Sequence, residues 1–526
     1  MLARCGSGAL AGLEAVAITV EVAIAPGLPG LAVVGLADAA VQEARERVRS
    51  ALRHAGLKVP LTRVVVNLAP GHLRKEGPSF DLPIALGLLL ASGQLAPGAL
   101  DGLWSLGELG LDGQLRPVRG VLPIALAARA AGAKALLVPT ANGAEAALAK
   151  GLAVWPVAHL AEAVTVLRGE LAPPKRPQPQ TNRAPEGERP PDLADVQGQL
   201  HGRRALEIAA AGGHHLLLVG PPGSGKTMLA CRLPALLPPL SAEEALEVLA
   251  IQSVAGLLQG NEGLARRRPF RSPHHSCTAA ALMGGGPIPR PGELALSHRG
   301  VLFLDELAEF RRPVLDQLRQ PLEEGSVWIS RARQRSRFPC RTTLVAATNP
   351  CPCGWFGEPG ATCSCGEGLR RRYWGRLSGP LLDRIDLQVV MRRISGQQLG
   401  VGYRRRAGSK GLPPETSAQV ASRVRQARRR MARRNPGGCT NAALPGEALR
   451  HVLELEPAAL QLWEGAVGQR RLSARAAERL LRVALTIADL DNERLVGHGA
   501  IAEALSYRSF DQAVEGSEHP RACEGS

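Results

Sequence analysis

A multidomain α/β protein built around a P-loop nucleotide-binding core is the fold class this sequence predicts, and three stretches predict it. The first, Gly220-Pro221-Pro222-Gly223-Ser224-Gly225-Lys226-Thr227, fits the pattern G-x-x-x-x-G-K-[ST]. The second, Val301-Leu302-Phe303-Leu304-Asp305-Glu306, is an apolar run ending in two acids. The third, Thr342-Thr343-Leu344-Val345-Ala346-Ala347-Thr348-Asn349, ends in an amide. Runs of this kind read as strands buried on both faces. Polar residues at their carboxyl ends sit where an open parallel sheet places its chemistry.

Leu216-Leu217-Leu218-Val219 precedes the loop as a strand, and Met228-Leu229-Ala230 opens a helix after it. Glycine dihedrals gather successive N–H groups into one concave nest, and the helix N-terminus adds positive potential. The loop therefore suits a polyphosphate. Lys226 reaches the β- and γ-phosphates of ATP, and the Thr227 hydroxyl ligates Mg²⁺. Asp305 holds Mg²⁺ through water and Glu306 polarises the attacking water, the Walker B roles. Asn349 fits a sensor placed near the γ-phosphate. Arg384, after the Ser378-Gly379-Pro380 turn, is a candidate arginine finger for the ATP of a neighbouring subunit. Arg475, at the start of a C-terminal helix, fits a second sensor. A lone arginine in so basic a chain is ordinarily a solvated charge. The order Lys226, Asp305, Asn349, Arg384, Arg475 singles these two out as parts of an AAA+ set.

Length and charge frame this core. The 526 residues allow several domains, and 45% apolar content allows each a sizeable interior. Lys and Arg outnumber Asp and Glu by 64 to 47, a net charge of +17 that favours a polyanionic partner. Arginine dominates over lysine alongside abundant Ala, Gly and Leu, which GC-rich coding also produces. Aromatics at 3% argue against base stacking as the main mode of binding. The most apolar run, Leu82 to Ala91, is too short to span a membrane and contains Pro83, while Glu14 and Glu21 spoil a signal peptide. The expectation is a cytoplasmic protein whose ten cysteines are thiols or metal ligands.

Composition divides the chain. Residues 1–168 mix strand and helix patterns, and residues 169–191 form a proline-rich, semi-extended linker. Residues 192–394 carry the nucleotide motifs, residues 395–508 open with a polar stretch and become helical, and residues 509–526 are a polar tail. In the helical part, Arg423, Arg425, Arg428, Arg429, Arg430, Arg433 and Arg434 surround one helix, either as a solvated face or as phosphate contacts.

Two further clusters carry chemistry. Cys351, Cys353, Cys363 and Cys365 form two C-x-C pairs separated by nine residues, in a Gly- and Pro-rich loop directly after Asn349. Four thiolates there can hold Zn²⁺ and fix a loop too poor in apolar residues to fold alone; the alternative is four reduced thiols. Arg331, Arg333, Arg335 and Arg337 alternate after Trp328 and Ile329. On a single strand, period two would put all four on one face. That face is either a charged, aggregation-resistant edge or a contact for DNA phosphates.

Longer motifs then give a resemblance. Val34-Gly35-Leu36-Ala37-Asp38, Arg45-Glu46-Arg47-Val48-Arg49, Val66-Asn67-Leu68-Ala69-Pro70 and Arg74-Lys75-Glu76-Gly77-Pro78-Ser79-Phe80-Asp81-Leu82-Pro83 lie in the N-terminal part. Arg271-Ser272-Pro273-His274-His275, Ala347-Thr348-Asn349-Pro350-Cys351-Pro352-Cys353-Gly354 and Arg376-Leu377-Ser378-Gly379-Pro380 lie in the core. With these the chain resembles the YifB/ComM family of magnesium-chelatase-like AAA+ ATPases along nearly its whole length. The resemblance implies a ribosomal-S5-domain-2/Lon-protease-like N-terminal domain, an AAA+ core, a helical chelatase-type C-terminal domain and hexameric rings. It also implies a pore position for the arginine stretch, and a helicase that drives branch migration of single-stranded or branched DNA in natural transformation.

The Lon-like likeness puts Ser79 where a peptidase serine would stand, but its lysine base falls on Leu122, and a serine hydroxyl without a base is a weak nucleophile. Lys75 and Lys134 are the remaining lysines to weigh. A scaffold or binding module is the expected role. The rival functions are a chelatase motor that powers metal insertion into a porphyrin, and an ATP-dependent protease. His274 and His275 are expected to pack or hydrogen-bond.

Overall fold

The computed structural model describes residues 2–177, 191–258, 267–286, 289–331, 334–394, 396 and 414–508. Most of the proline-rich linker, the polar stretch before the C-terminal helices and the tail lie outside these residues.

Val16, Ile18, Val20, Val22 and Ile24 alternate along Glu14–Ala25, which pairs antiparallel with Leu2–Ala11 on one side and Arg63–Ala69 on the other. Parallel strands extend this sheet on both sides. The full order is Gly30–Val34, Arg63–Ala69, Glu14–Ala25, Leu2–Ala11, Leu103–Ser105, Ala135–Pro139, Ala153–Val157. The helix Asp81–Ala91 is apolar all round, and it lies buried between this sheet and the helix Ala39–His54. Its buried first residue, Asp81, accepts from Arg47 Nε at 2.6 Å, Arg47 Nη2 at 3.0 Å and the Leu109 amide at 3.1 Å. Burial raises the Asp81 carboxyl above its ordinary range against the pull of Arg47. That ion pair ties the Arg45–Arg49 and Ser79–Pro83 stretches together.

The core is a five-stranded parallel sheet in the order Phe270–Arg271, Val301–Leu304, Thr343–Thr348, Leu216–Val219, Leu387–Val390. The strand ending at Thr348 lies between the strand that leads into the phosphate loop and the strand that leads into Asp305. The three motif-bearing strand ends are therefore adjacent.

The C-terminal helices are not a separate ball. Leu216, Leu218 and Val389 of the sheet share one apolar cluster with Val424, Leu480, Ala484 and Tyr507. A buried polar network seals the junction. Asp386 accepts from His214 Nδ1 at 3.0 Å and from Arg479 Nη1 at 2.9 Å, and His214 Nε2 pairs with Thr486 at 2.8 Å. Burial opposes ionisation of Asp386, but the hydrogen bond from His214 and the nearby positive charges outweigh it and hold the carboxyl well below its usual range. Asp386→Ala would strand His214 and Arg479 inside. It is expected to cost about 3–5 kcal/mol, read as a lower denaturation midpoint.

The arginine-rich helix, Ser417–Arg434, divides its charges by face. Arg423 pairs with Glu207 and Glu415, Arg428 donates to the Ala210 carbonyl, Arg430 to Asp489 and Asn492, and Arg434 to Asp489. These four are bolts between helices. Arg425, Arg429 and Arg433, one helical turn apart, are exposed. The expectation of a helix surrounded by solvated or phosphate-binding arginines is thus corrected for these four, and only Arg425, Arg429 and Arg433 stand exposed on its surface.

The N-terminal domain docks on the core. The Gly120 amide donates to the Ser253 carbonyl at 3.1 Å, and the buried Glu145 accepts from the Ser253 hydroxyl, the Leu122 amide and Asn142. Leu122 packs with Leu148, Leu249 and Ala250. The position that a peptidase would give to a lysine is thus an apolar interdomain contact. Lys75 is buried and donates to the Gly35 and Pro70 carbonyls, and Lys134 is exposed beside Gly102. Among the described residues neither pairs with the Ser79 hydroxyl.

Candidate nucleotide site and arginine hairpin

The phosphate loop turns tightly enough to need its glycines. A Cβ on Gly220 would lie 2.3 Å from the Met391 carbonyl oxygen, and Gly225 has φ +89° at the helix start. The helix Lys226–Ala230 follows, so the loop amides and the Lys226 side chain face the sheet's carboxyl edge.

There the predicted residues meet. Lys226 Nζ donates to the Gly220 carbonyl at 2.7 Å, the Pro221 carbonyl at 3.0 Å and Asn349 Oδ1 at 3.1 Å. Burial draws the Lys226 ammonium below its ordinary range, against the pull of Asp305 and Glu306. An arriving phosphate would relieve that burial cost. Thr227 Oγ1 donates to Asp305 Oδ2 at 2.8 Å, and the Glu306 amide donates to Asp305 Oδ1 at 2.9 Å. A hydroxyl and a carboxylate oxygen side by side form an all-oxygen donor set, which fits Mg²⁺.

Glu306 stands in the left-handed region at φ +52°, and its carboxylate is held by His275 Nδ1 at 2.8 Å. Strained backbone at a strand end is where a catalytic side chain is aimed. From the sequence His275 is expected only to pack or bond; its partner is the candidate catalytic carboxylate. To polarise water, Glu306 must share or leave His275. His275→Ala is expected to raise basal hydrolysis about tenfold, the rate equivalent of one hydrogen bond to a charged group. An unchanged or lower rate would show that His275 does not restrain Glu306.

Arg384 and Arg475 are not among these contacts. Both reach Glu323 instead, Arg384 Nη2 at 2.7 Å and Arg475 Nη1 at 3.7 Å. Arg384 also donates to the Pro380 carbonyl at 2.6 Å, and its own carbonyl accepts from Arg479. Only 11% of its side chain is exposed, so reaching a neighbour requires release from Glu323; Arg475 is 75% exposed. Glu323 as a shared partner has no signature in the sequence.

The arginine stretch is a hairpin, Ser326–Arg331 paired with Gln334–Pro339. The expectation of four arginines on one strand face is therefore corrected. Arg331 belongs to the first strand opposite Gln334, and Arg333 lies outside the described residues. Arg335 and Arg337 share an exposed face with Trp328 and Ser330. Their guanidinium carbons lie 4.2 Å and 5.7 Å from the centre of the half-exposed Trp328 ring. The opposite face, with Val327, Ile329 and Phe338, is buried under the core. The hairpin's flank meets the N-terminal domain, where a Cβ on Gly12 would sit 3.2 Å from Ser336 Cβ and 3.5 Å from the Arg337 amide.

The four predicted cysteines also meet, with all sulfurs within 4.8 Å of one another. Among the described residues no helix is long and apolar enough to cross a membrane.

Comparison with known proteins agrees along the chain. Family models described as subunit ChlI of magnesium chelatase match residues 20–142 and 192–399, and the model of the ChlI C-terminal part matches residues 414–508. The chain is 45% identical over 505 residues to the uncharacterized protein YifB of Escherichia coli, covering 96% of each chain. It is 43% identical over 518 residues to the competence protein ComM of Haemophilus influenzae, covering 98% of this chain and 99% of that one. A partial match, 27% identical over 251 residues, is to the Holliday junction branch migration complex subunit RuvB of Saccharopolyspora erythraea, covering 45% of this chain and 55% of that one.

Proposed function

Because the chain belongs to the YifB/ComM family of magnesium-chelatase-like AAA+ ATPases, we propose that it is an ATP-driven ring motor that moves on branched or single-stranded DNA. The observation that carries this reading is the hairpin with Arg335 and Arg337 exposed over Trp328, which leads directly into the strand Thr343–Thr348 before Asn349. Guanidinium groups on a stiff two-stranded support suit phosphates, which need charge but carry no sequence. The names of ComM and RuvB point to the same substrate class.

Lys226 and the loop amides bind and orient the phosphates. Bound ATP supplies the phosphoryl group whose transfer releases energy, and Thr227 and Asp305 are the residues that would hold Mg²⁺ against it. Asn349 orients the terminal phosphate's surroundings through Lys226. Glu306 takes the proton of the attacking water. In the proposed hexamer Arg384 acts on the neighbouring subunit's site, and Arg475, which shares Glu323 with it, serves as the second sensor. The N-terminal domain is read as a ribosomal-S5/Lon-protease-like scaffold with a lost peptidase site, since Leu122 serves an apolar contact. A porphyrin-metal insertion motor, the role the chelatase names would imply, gives the arginine hairpin no task.

The test is DNA affinity across a salt series. With Arg335 and Arg337 both changed to Ala, affinity is expected to fall on all sequences alike, and the salt slope to shrink by about one for each arginine replaced. Stimulation of hydrolysis by DNA should fall with it. Changing Arg425, Arg429 and Arg433 should weaken DNA loading, whereas changing Arg428 should chiefly cost stability. A double hairpin variant with an unaltered salt slope would remove the hairpin from the DNA path.

A further inference from the structure

Residues 349–366 have no regular secondary structure and few apolar side chains, yet they run along the nucleotide site. Something other than a core must hold them. The sulfurs give the geometry. Cys351 Sγ lies 3.3 Å from Cys353 Sγ and 3.7 Å from Cys363 Sγ, and Cys353 and Cys363 are 3.6 Å apart. All four cysteines are free thiols, so none of these separations is a disulfide. Four sulfurs at about 2.3 Å from one Zn²⁺ ion lie about 3.8 Å from one another along the edges of a tetrahedron. These three separations fall within about half an ångström of that edge. Sulfurs gathered so closely around one centre leave no room for an iron–sulfur cluster.

Backbone N–H groups donate to the thiols: Phe356 to Cys351, and Trp355 and Ser364 to Cys353. Cys351 and Cys365 are buried, and Cys353 and Cys363 are half-buried, so no ligand position is left open for substrate. This is the closed form of a structural site.

We propose that Cys351, Cys353, Cys363 and Cys365 bind one Zn²⁺ as a tetrathiolate, and that this ion fixes the loop between Asn349 and the helix Glu367–Trp374. The position has consequences on both sides. On one side, Gly354 rests so close to the phosphate loop that a Cβ there would come within 2.6 Å of Pro222 Cδ. On the other, Arg370 donates to the Cys365 carbonyl at 2.6 Å, Trp374 Nε1 to the Pro350 carbonyl at 3.0 Å, and Tyr373 pairs with Thr348 at 3.1 Å. The chain leaves that helix for the turn that carries Arg384. The ion thus joins the sensor Asn349, the phosphate loop and the arginine-finger segment into one unit. This inference does not depend on whether the motor acts on DNA.

The test uses the full-length chain purified without chelator. Metal analysis is expected to find about one zinc per chain, released quantitatively when the thiols are titrated with a mercurial reagent and read with a chromogenic chelator. Cobalt-loaded protein should show the thiolate-to-metal charge-transfer and d–d bands of tetrahedral Co²⁺. The double variant Cys353→Ser, Cys363→Ser should retain roughly tenfold less zinc. Should that variant fail to fold, the cobalt spectrum and the mercurial titration of the native chain still decide. Folded native protein that binds no zinc when loaded with it, or that gives an octahedral cobalt spectrum, would overturn the proposal. So would iron in stoichiometric amount.

Discussion

Glu306→Gln is expected to bind ATP and to hydrolyse it about 10²–10⁴-fold more slowly, because the amide cannot take a proton from water. The backbone sets this role. The strand Val301–Leu304 ends in Asp305, which is occupied by Thr227 and by the Glu306 amide. The second acid is then thrown into the left-handed region and toward the edge of the sheet. Asp305 is thus committed to the Thr227 hydroxyl, and in the proposed mechanism Glu306 is the acid left for water. Lys226→Ala should behave differently and lose nucleotide binding itself. Equilibrium binding of a fluorescent ATP analogue beside steady-state phosphate release separates the two. A Glu306→Gln protein that turned over at the native rate would place the proton acceptor elsewhere.

Arg384→Ala is expected to leave ATP binding intact and to cut turnover by about 10³-fold, since a finger from a neighbouring subunit stabilises charge that forms only in the transition state. The contacts with Glu323 and the Pro380 carbonyl keep Arg384 out of its own chain's site. Mixing subunits provides a sharp check. A Lys226→Ala chain still carries Arg384, and an Arg384→Ala chain still carries a complete phosphate loop. Mixed rings should contain some complete interfaces, so two inactive proteins should recover part of the activity when combined. No recovery in mixed rings, or normal turnover by Arg384→Ala alone, would contradict a role in trans.

The meeting of Lys226, Thr227, Asp305 and Asn349 was legible because each part of that cluster is written locally. A strand, a glycine loop and a helix start are consecutive residues, and a buried strand ending in an acid or amide declares which end carries chemistry. The cysteine cluster was legible for the same reason, as two short pairs in one loop. What stayed hidden depends on distant chain segments meeting. His275 reaches Glu306 from another part of the core, and Glu323 gathers Arg384 and Arg475 from two domains. The arginine stretch was misread because period two holds only within one strand. The first strand carries Arg331 and the second, from Gln334, carries Arg335 and Arg337, so the set is divided. On the helix Ser417–Arg434 composition could not sort the arginines, since the acids and carbonyls that claim four of them lie outside that helix. Leu122 shows the converse. The missing lysine was visible in the sequence, but the interdomain packing that uses the leucine was not.

The central claim, a motor whose hydrolysis is coupled to DNA, is tested most directly by the rate of ATP hydrolysis with no DNA and with single-stranded, duplex and four-way-junction DNA at equal nucleotide concentration. The account predicts stimulation by single-stranded or four-way DNA that fades as salt rises, because phosphate contacts carry the grip. A rate that is the same with every DNA as with none, in protein that binds and hydrolyses ATP, would contradict it.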